Sequence, residues 1–162
     1  KLLETRTVTV ASPAYLEARG RPAAPSDLVN HSCIQVRDSL TGQPIQEWQF
    51  RQQGKVVQVR IAGRLMVAEF GTMLGACLGG FGIARVKAIG VRNLIQQGSL
   101  VEVLSGWLGE SFPLYALYSS GHLPAAKVRA FIDFVQSRVA RADGMADEAP
   151  RAARFALATP TM

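Results

Sequence analysis

The side chains able to do covalent or acid–base chemistry are few, and their spacing does not assemble them. His31 and His122 stand beside turn-forming residues, and neither belongs to a metal-binding pattern such as HExxH, so both read as loop histidines. A Ser/His/acid arrangement could be drawn from Ser12 or Ser105 with a histidine and Asp27 or Glu69. No GxSxG turn presents either hydroxyl, however. Cys33 and Cys77 lack any CxxC or Cys/His metal spacing and lie in apolar stretches, so they read as buried free thiols of a reducing compartment. The run Gly79-Gly80-Phe81-Gly82 follows a helix and precedes a strand, the reverse of a phosphate loop. It reads as a helix stop followed by close backbone packing. The inventory points away from catalysis, and it implies no cofactor and no metal.

Two strand-to-helix junctions offer a different chemistry. Ser12-Pro13 comes straight off a strand, and Glu69-Phe70-Gly71-Thr72 opens another helix. Helix starts carry free N–H groups that can receive an anion, and ligands of α/β folds gather near such junctions. The same residues serve equally well as plain helix caps.

The elements that must position these residues alternate. Thr7-Val8-Thr9-Val10 reads as a strand, and Ser12 with Pro13 begins a helix that Gly20 stops near Arg19. Pro25-Ser26-Asp27-Leu28 opens a second short helix. Three strand-like runs follow, Cys33 to Val36, Glu47 to Phe50 and Val56 to Ile61, with turns at Thr41-Gly42 and Gln53-Gly54. In the third, Val57, Val59 and Ile61 face one way while Gln58 and Arg60 face the other. The strongest helical repeat runs from Glu69 to Leu78, carrying Phe70, Met73, Leu74, Cys77, Leu78 and Phe81. Gly82-Ile83-Ala84 reads as a strand, Ala88 to Gln97 as a helix, and Leu100 to Leu104 and Leu114 to Tyr118 as strands. Pro124 opens a long helix with Val128, Phe131, Ile132, Val135 and Val139 on one face. Residues 143–162 have no periodicity and read as a flexible tail. The alternation predicts an α/β layered fold with some antiparallel pairing.

A chain of 162 residues can bury a core without staples, and no run reaches the ~18 apolar residues of a membrane span. The opening residues show no secretory signal, and the free thiols lead to a cytoplasmic location as the expectation. The net charge of +6 is scattered, apart from Lys127, Arg129, Arg138 and Arg141 on the last helix. With few aromatics among them, these read as a solvated face rather than a nucleic-acid surface.

Several segments in this order resemble the effector-binding domain of LysR-type transcriptional regulators. They are Val10-Ala11-Ser12-Pro13-Ala14-Tyr15-Leu16, Pro25-Ser26-Asp27-Leu28, His31-Ser32-Cys33-Ile34, Trp48-Gln49-Phe50 and Ile61-Ala62-Gly63-Arg64-Leu65. Gly79 to Ala84, Leu114 to Tyr118 and Leu123 to Phe134 complete the set. No one motif is diagnostic; their order and spacing over about 7–135 carry the resemblance.

The resemblance implies a type II periplasmic-binding-protein-like fold of two α/β subdomains joined by crossover strands, the second subdomain complete here and the first partial. Residues 1–7 would be the incoming crossover and 8–113 the second subdomain. Residues 114–142 would be the return crossover and last helix of the first subdomain. The helix-turn-helix that reads operator DNA would lie outside this chain, and the parent would be a homo-oligomer. The family pattern also implies effector contacts at Ala11, Ser12, Pro13, Glu69, Phe70 and Gly71, by backbone N–H donation, a side-chain hydroxyl and an apolar wall. The partner implied is a small-molecule effector; an Arg85 facing the cleft would favour a carboxylate. Where family members often have Asn before that helix and Leu-Pro after the Gly-Ile-Ala strand, this chain has Ala68-Glu69 and Arg85-Val86-Lys87. A solute-binding protein of the same fold, or an inactive truncated sensor, are the alternatives.

Overall fold

The computed structural model describes residues 1–38, 41–115, 117 and 126–142, with side chains up to 138. It separates into one unit of Lys1 and Leu3–Tyr115 and another of Leu2 and Ala116–Met162. In chain order the first unit contains β1 (Leu3–Ala11), α1 (Pro13–Arg19), β2 (Gln35–Val36), β3 (Glu47–Gln52), β4 (Lys55–Arg60), β5 (Met66–Val67), α2 (Phe70–Leu78), β6 (Ala84–Lys87), α3 (Arg92–Gln96), β7 (Val101–Val103) and β8 (Ser111–Leu114). Turns of 3-10 helix stand at Pro25–Asn30 and Ala88–Gly90.

β1 organises the sheet. It pairs antiparallel with β6 (Val8↔Val86), with β7 (Thr9↔Val103) and, through its first half, with β8 (Leu3↔Leu114). β2 and β5 pair in parallel, Gln35↔Met66 and Val36↔Val67. A parallel bridge at Cys33 and Ile83, with Ile34 N–H donating to the Ile83 carbonyl at 2.8 Å, ties this pair to the start of β6. β3 and β4 form a hairpin, turned by Gln53 and Gly54, both at positive φ as a tight two-residue turn demands. Reciprocal hydrogen bonds of 2.8 Å between Arg51 and Leu108 fasten it.

Period-two alternation builds two cores from one sheet. Val8 and Val10 of β1, with Ala84 and Val86 of β6, bury against Met73 and Cys77 of α2 and against Val91 and Leu100. Ala11 and Ile83 face the other way, into Tyr15, Leu16, Leu28, Trp48, Phe50, Val59 and Ile61. The hairpin and α1 thus cover one face, and α2 and α3 the other.

Most expected elements stand near their expected places, with four differences. The strand read from Cys33 is confined to Gln35–Val36, Cys33 itself making only the bridge. The helix expected over Ala88–Gln97 is broken, because the Phe70 ring occupies the space beside Gly90, 2.9 Å from where a Cβ would stand, and Val91 turns inward to the core. A strand runs over Ser111–Leu114, meeting the run expected at Leu114–Tyr118 only at Leu114; residues 116 and 118 lie outside the described residues. Pro113 disguises it, yet proline is tolerated where a strand borders no second partner, and β8 pairs only with β1 among the described strands. Only Met73 and Cys77 of the α2 stripe are buried; Phe70, Leu78 and the neighbouring Phe81 are exposed.

The second unit contains α4 (Ala126–Ala142), which agrees with the long helix expected there; Phe131 and Phe134 are exposed on it. His122, Pro124 and the expected tail at 143–162 lie outside the described residues. Among those described, no helix is long and apolar enough to cross a membrane.

Candidate functional site

β6 places Arg85 on the hairpin side of the sheet, with Lys87 two residues on, its Nζ 5.2 Å from the Phe112 ring centre. With Ala84 and Val86 packed toward the helices, Arg85 must face the other way, where β3 and β1 meet it. Its Nη2 donates to the Gln49 carbonyl at 2.6 Å and to Thr7 Oγ1 at 3.2 Å, and Nε lies 3.3 Å from the same hydroxyl. The guanidinium carbon stands 4.9 Å from the Phe50 ring centre and 5.9 Å from that of Trp48. Two hydrogen-bond partners and an aromatic floor therefore fix the group in one orientation. Burial pulls its pKa down from the usual arginine value while the Glu110 carboxylate opposes that shift, so the side chain stays cationic at neutral pH.

This guanidinium lines a cavity of about 200 Å³. Its apolar walls are Ile34, Val36, Ile45, Trp48 and Phe112, and its polar groups are those of Thr7, Glu47, Arg85 and Glu110. Among the described residues, Arg85 Nη1 has no hydrogen-bond partner. An apolar pocket with one oriented cation and two carboxylates can hold a small polar molecule by its anionic end and offer acceptors to the rest of it.

None of the six residues named from the family pattern lines this cavity, and the fold does not bring the six together. Because β1 runs antiparallel to β6, its end at Ala11 lies beside the beginning of β6, Val10 opposite Ala84. Ser12 is buried; its Oγ accepts the Tyr15 N–H at 3.4 Å, capping α1, and it stands 3.7 Å from the Cβ position of Gly80. Glu69, Phe70 and Gly71 follow β5 and sit toward the other end, where Phe70 touches Gly90 beyond β6. Glu69 is the N-cap of α2 and accepts the Thr72 hydroxyl at 3.3 Å, with no side-chain bond to the helix backbone. The junction rule treated both strand ends as equivalent, and the antiparallel direction of β1 separates them.

The residues considered for nucleophilic chemistry are dispersed as well. Cys77 donates its thiol to the Val10 carbonyl at 3.5 Å, and both cysteines are fully buried. His31 Nδ1 lies 3.3 Å from the Tyr15 hydroxyl, which also accepts the Ser32 N–H at 2.9 Å. Thr7, Glu47, Glu110 and Phe112 carried no signal of their own in the sequence. Thr7 and Phe112 meet through the β1–β8 register and Glu47 comes with the hairpin, whereas Trp48 was visible as part of a familiar segment.

Comparison with known proteins agrees with this architecture. The sequence profile of the LysR substrate binding domain matches residues 1–140. A candidate transcriptional regulator of Pseudomonas aeruginosa is 36% identical over 113 residues, covering 70% of this chain and 36% of that protein. A helix-turn-helix-type regulator of Xanthomonas campestris is 32% identical over 140 residues, covering 86% of this chain and 41% of its own length. The full-length virulence activator AphB of Vibrio cholerae superposes with a TM-score of 0.71 at 32% identity, covering 85% of this chain and 46% of that one. The chain thus spans less than half the length of these relatives, which are regulators rather than transport proteins. Its fold is the type II periplasmic-binding-protein-like fold of their regulatory domains, and the chain belongs to the LysR substrate-binding domain family, the effector-binding part of LysR-type transcriptional regulators.

Proposed function

We propose that the cavity under Arg85 is this chain's share of the effector site, and that the effector is a small metabolite bearing a carboxylate. The observation that carries this reading is the guanidinium itself. It is held by Thr7 and Gln49 and stacked on Phe50, and its Nη1 is left for a ligand oxygen. Glu47 and Glu110 on the same lining favour a molecule whose other end donates hydrogen bonds. Glu69–Gly71, toward the same carboxyl ends of β2 and β5, would extend the site at its rim. Ala11–Pro13 would support it only as the cap of α1.

In this reading residues 1–7 are the incoming crossover, and Leu3–Arg6 within it pairs with Ser111–Leu114. Residues 8–113 form the second subdomain, and 114–142 are the return crossover and last helix of the first. A ligand preferring one arrangement of the subdomains would shift a homo-oligomeric, cytoplasmic parent toward it, and so alter how a helix-turn-helix outside this chain meets operator DNA.

The test is a thermal melt of the chain against a panel of small aromatic and aliphatic carboxylates. A ligand at a hundredfold excess over its dissociation constant should stabilise by roughly 2.7 kcal/mol. A selective rise in midpoint that vanishes in Arg85→Gln, shrinks in Phe70→Ala and survives in Ser12→Ala is the expected pattern. A rise indifferent to Arg85→Gln would refute the assignment.

A further inference from the structure

A second and larger concavity occupies the opposite end of the same sheet. It is a groove of about 910 Å³ between α1, Asn30–Ser32, Ala62–Leu65 and Gly79–Phe81. The last three segments lead into β2, β5 and β6, so the groove opens where these strands begin, away from the Arg85 cavity. It is built entirely from the first unit.

Its lining carries one sign of charge. Arg19 and Arg64 both contribute, and among the described residues neither forms a hydrogen bond or an ion pair; no carboxylate lines the groove. Asp27, near enough to feel His31, has its Oδ2 taken by the N–H groups of Ala23 and Ala24 at 2.8 and 2.9 Å. His31 lines the groove as well, its Nδ1 3.3 Å from the Tyr15 hydroxyl, which accepts from Ser32 N–H at 2.9 Å and donates to the Ser32 carbonyl at 3.5 Å. The apolar part is Ala14, Ala18, Leu65 and the exposed ring of Phe81.

The walls are also stiff. Cys33 N–H bonds the Ala62 carbonyl and Ile83 N–H the Ser32 carbonyl, each at 2.8 Å. A Cβ on Gly63 would lie 1.7 Å from the Cys33 oxygen and one on Gly82 2.3 Å from that of Ser32, so the segments touch backbone to backbone. A groove so fixed, cationic and partly apolar suits an organic anion, and its volume falls in the range of small-molecule sites.

We propose that this groove is a second ligand site, for an organic phosphate carrying a planar ring, with Arg19 and Arg64 on the phosphate and Phe81 against the ring. It shares no residue with the Arg85 cavity and does not depend on that reading.

Titration calorimetry of the 162-residue chain with AMP, adenosine and inorganic phosphate at fixed ionic strength tests it. The expected result is one saturable AMP site, with adenosine and phosphate each at least about tenfold weaker. Arg19→Gln and Arg64→Gln should each weaken AMP about tenfold without moving the melting point, as befits exposed side chains making charge-assisted bonds. Phe81→Ala should weaken AMP and leave phosphate unchanged, and amide shifts on AMP addition should centre on Gly79–Phe81. No AMP binding at millimolar concentration, or binding indifferent to both arginines, overturns the proposal. Phosphate binding as tight as AMP overturns the role of the ring. Duplex DNA that binds through the same arginines while AMP does not would make the groove a polyanion surface instead.

Discussion

Arg85 is the residue on which three elements converge: it sits on β6 and bonds both β1 and the hairpin strand β3. A charged donor serving two partners is worth more than a neutral one, so Arg85→Met should lower the unfolding free energy by about 2 kcal/mol even though an apolar contact with Phe50 is kept. Urea denaturation measures this directly. The cysteines make a different statement at the same scale. Burial pushes the thiol of Cys33 up from 9.0 to about 12 and that of Cys77 to about 11. The native state therefore keeps these protons where the unfolded chain has already lost them. Their contribution to stability is whole below pH 9 and falls away as pH rises toward 11 and then 12. A Cys77→Val variant should show a flatter decline in denaturation midpoint between pH 9 and 11 than the parent chain. At pH 8, modification of either thiol by a disulfide reagent should wait for unfolding.

At the scale of elements, glycine separates two kinds of backbone. In α2 a Cβ on Gly75 would meet nothing within 4 Å, so Gly75→Ala should stabilise by about 0.5–1 kcal/mol through helix propensity alone. Gly82, whose Cβ would run into the Ser32 carbonyl, should cost at least about 2 kcal/mol on the same change. Comparing the two melting points tests whether the Gly79–Gly82 run is packed as the sequence suggested. The same contrast marks what could be read in advance. The cap at Ser12, the stop at Gly20 and the hairpin turn at Gln53-Gly54 are local, set by residues a few positions apart, and each was legible. The Arg85 cavity was not, because its two hydrogen-bond partners lie 78 and 36 positions away and meet only once β1 has found its register. The direction of β1 is equally non-local, which is why two helix starts that look alike in sequence stand at opposite ends of the sheet.

For the whole molecule, exposed Phe131 and Phe134 on α4 predict self-association. Sedimentation velocity should show weight-average mass rising with concentration, and a Phe131→Glu, Phe134→Glu double variant should restore a single monomeric boundary. The pairing of β1 also has a consequence for how the chain is made. Val10 cannot be paired until Ala84 exists, nor Leu3 until Leu114 does. During synthesis this β-branched strand leaves the ribosome with both edges bare while nearly all of the first unit is still untranslated. Such an unpaired strand is a template for any other nascent chain, and its closure is slow because the loops it must close are long. The strand that holds the finished sheet together is the one most exposed to aggregation while that sheet is being built.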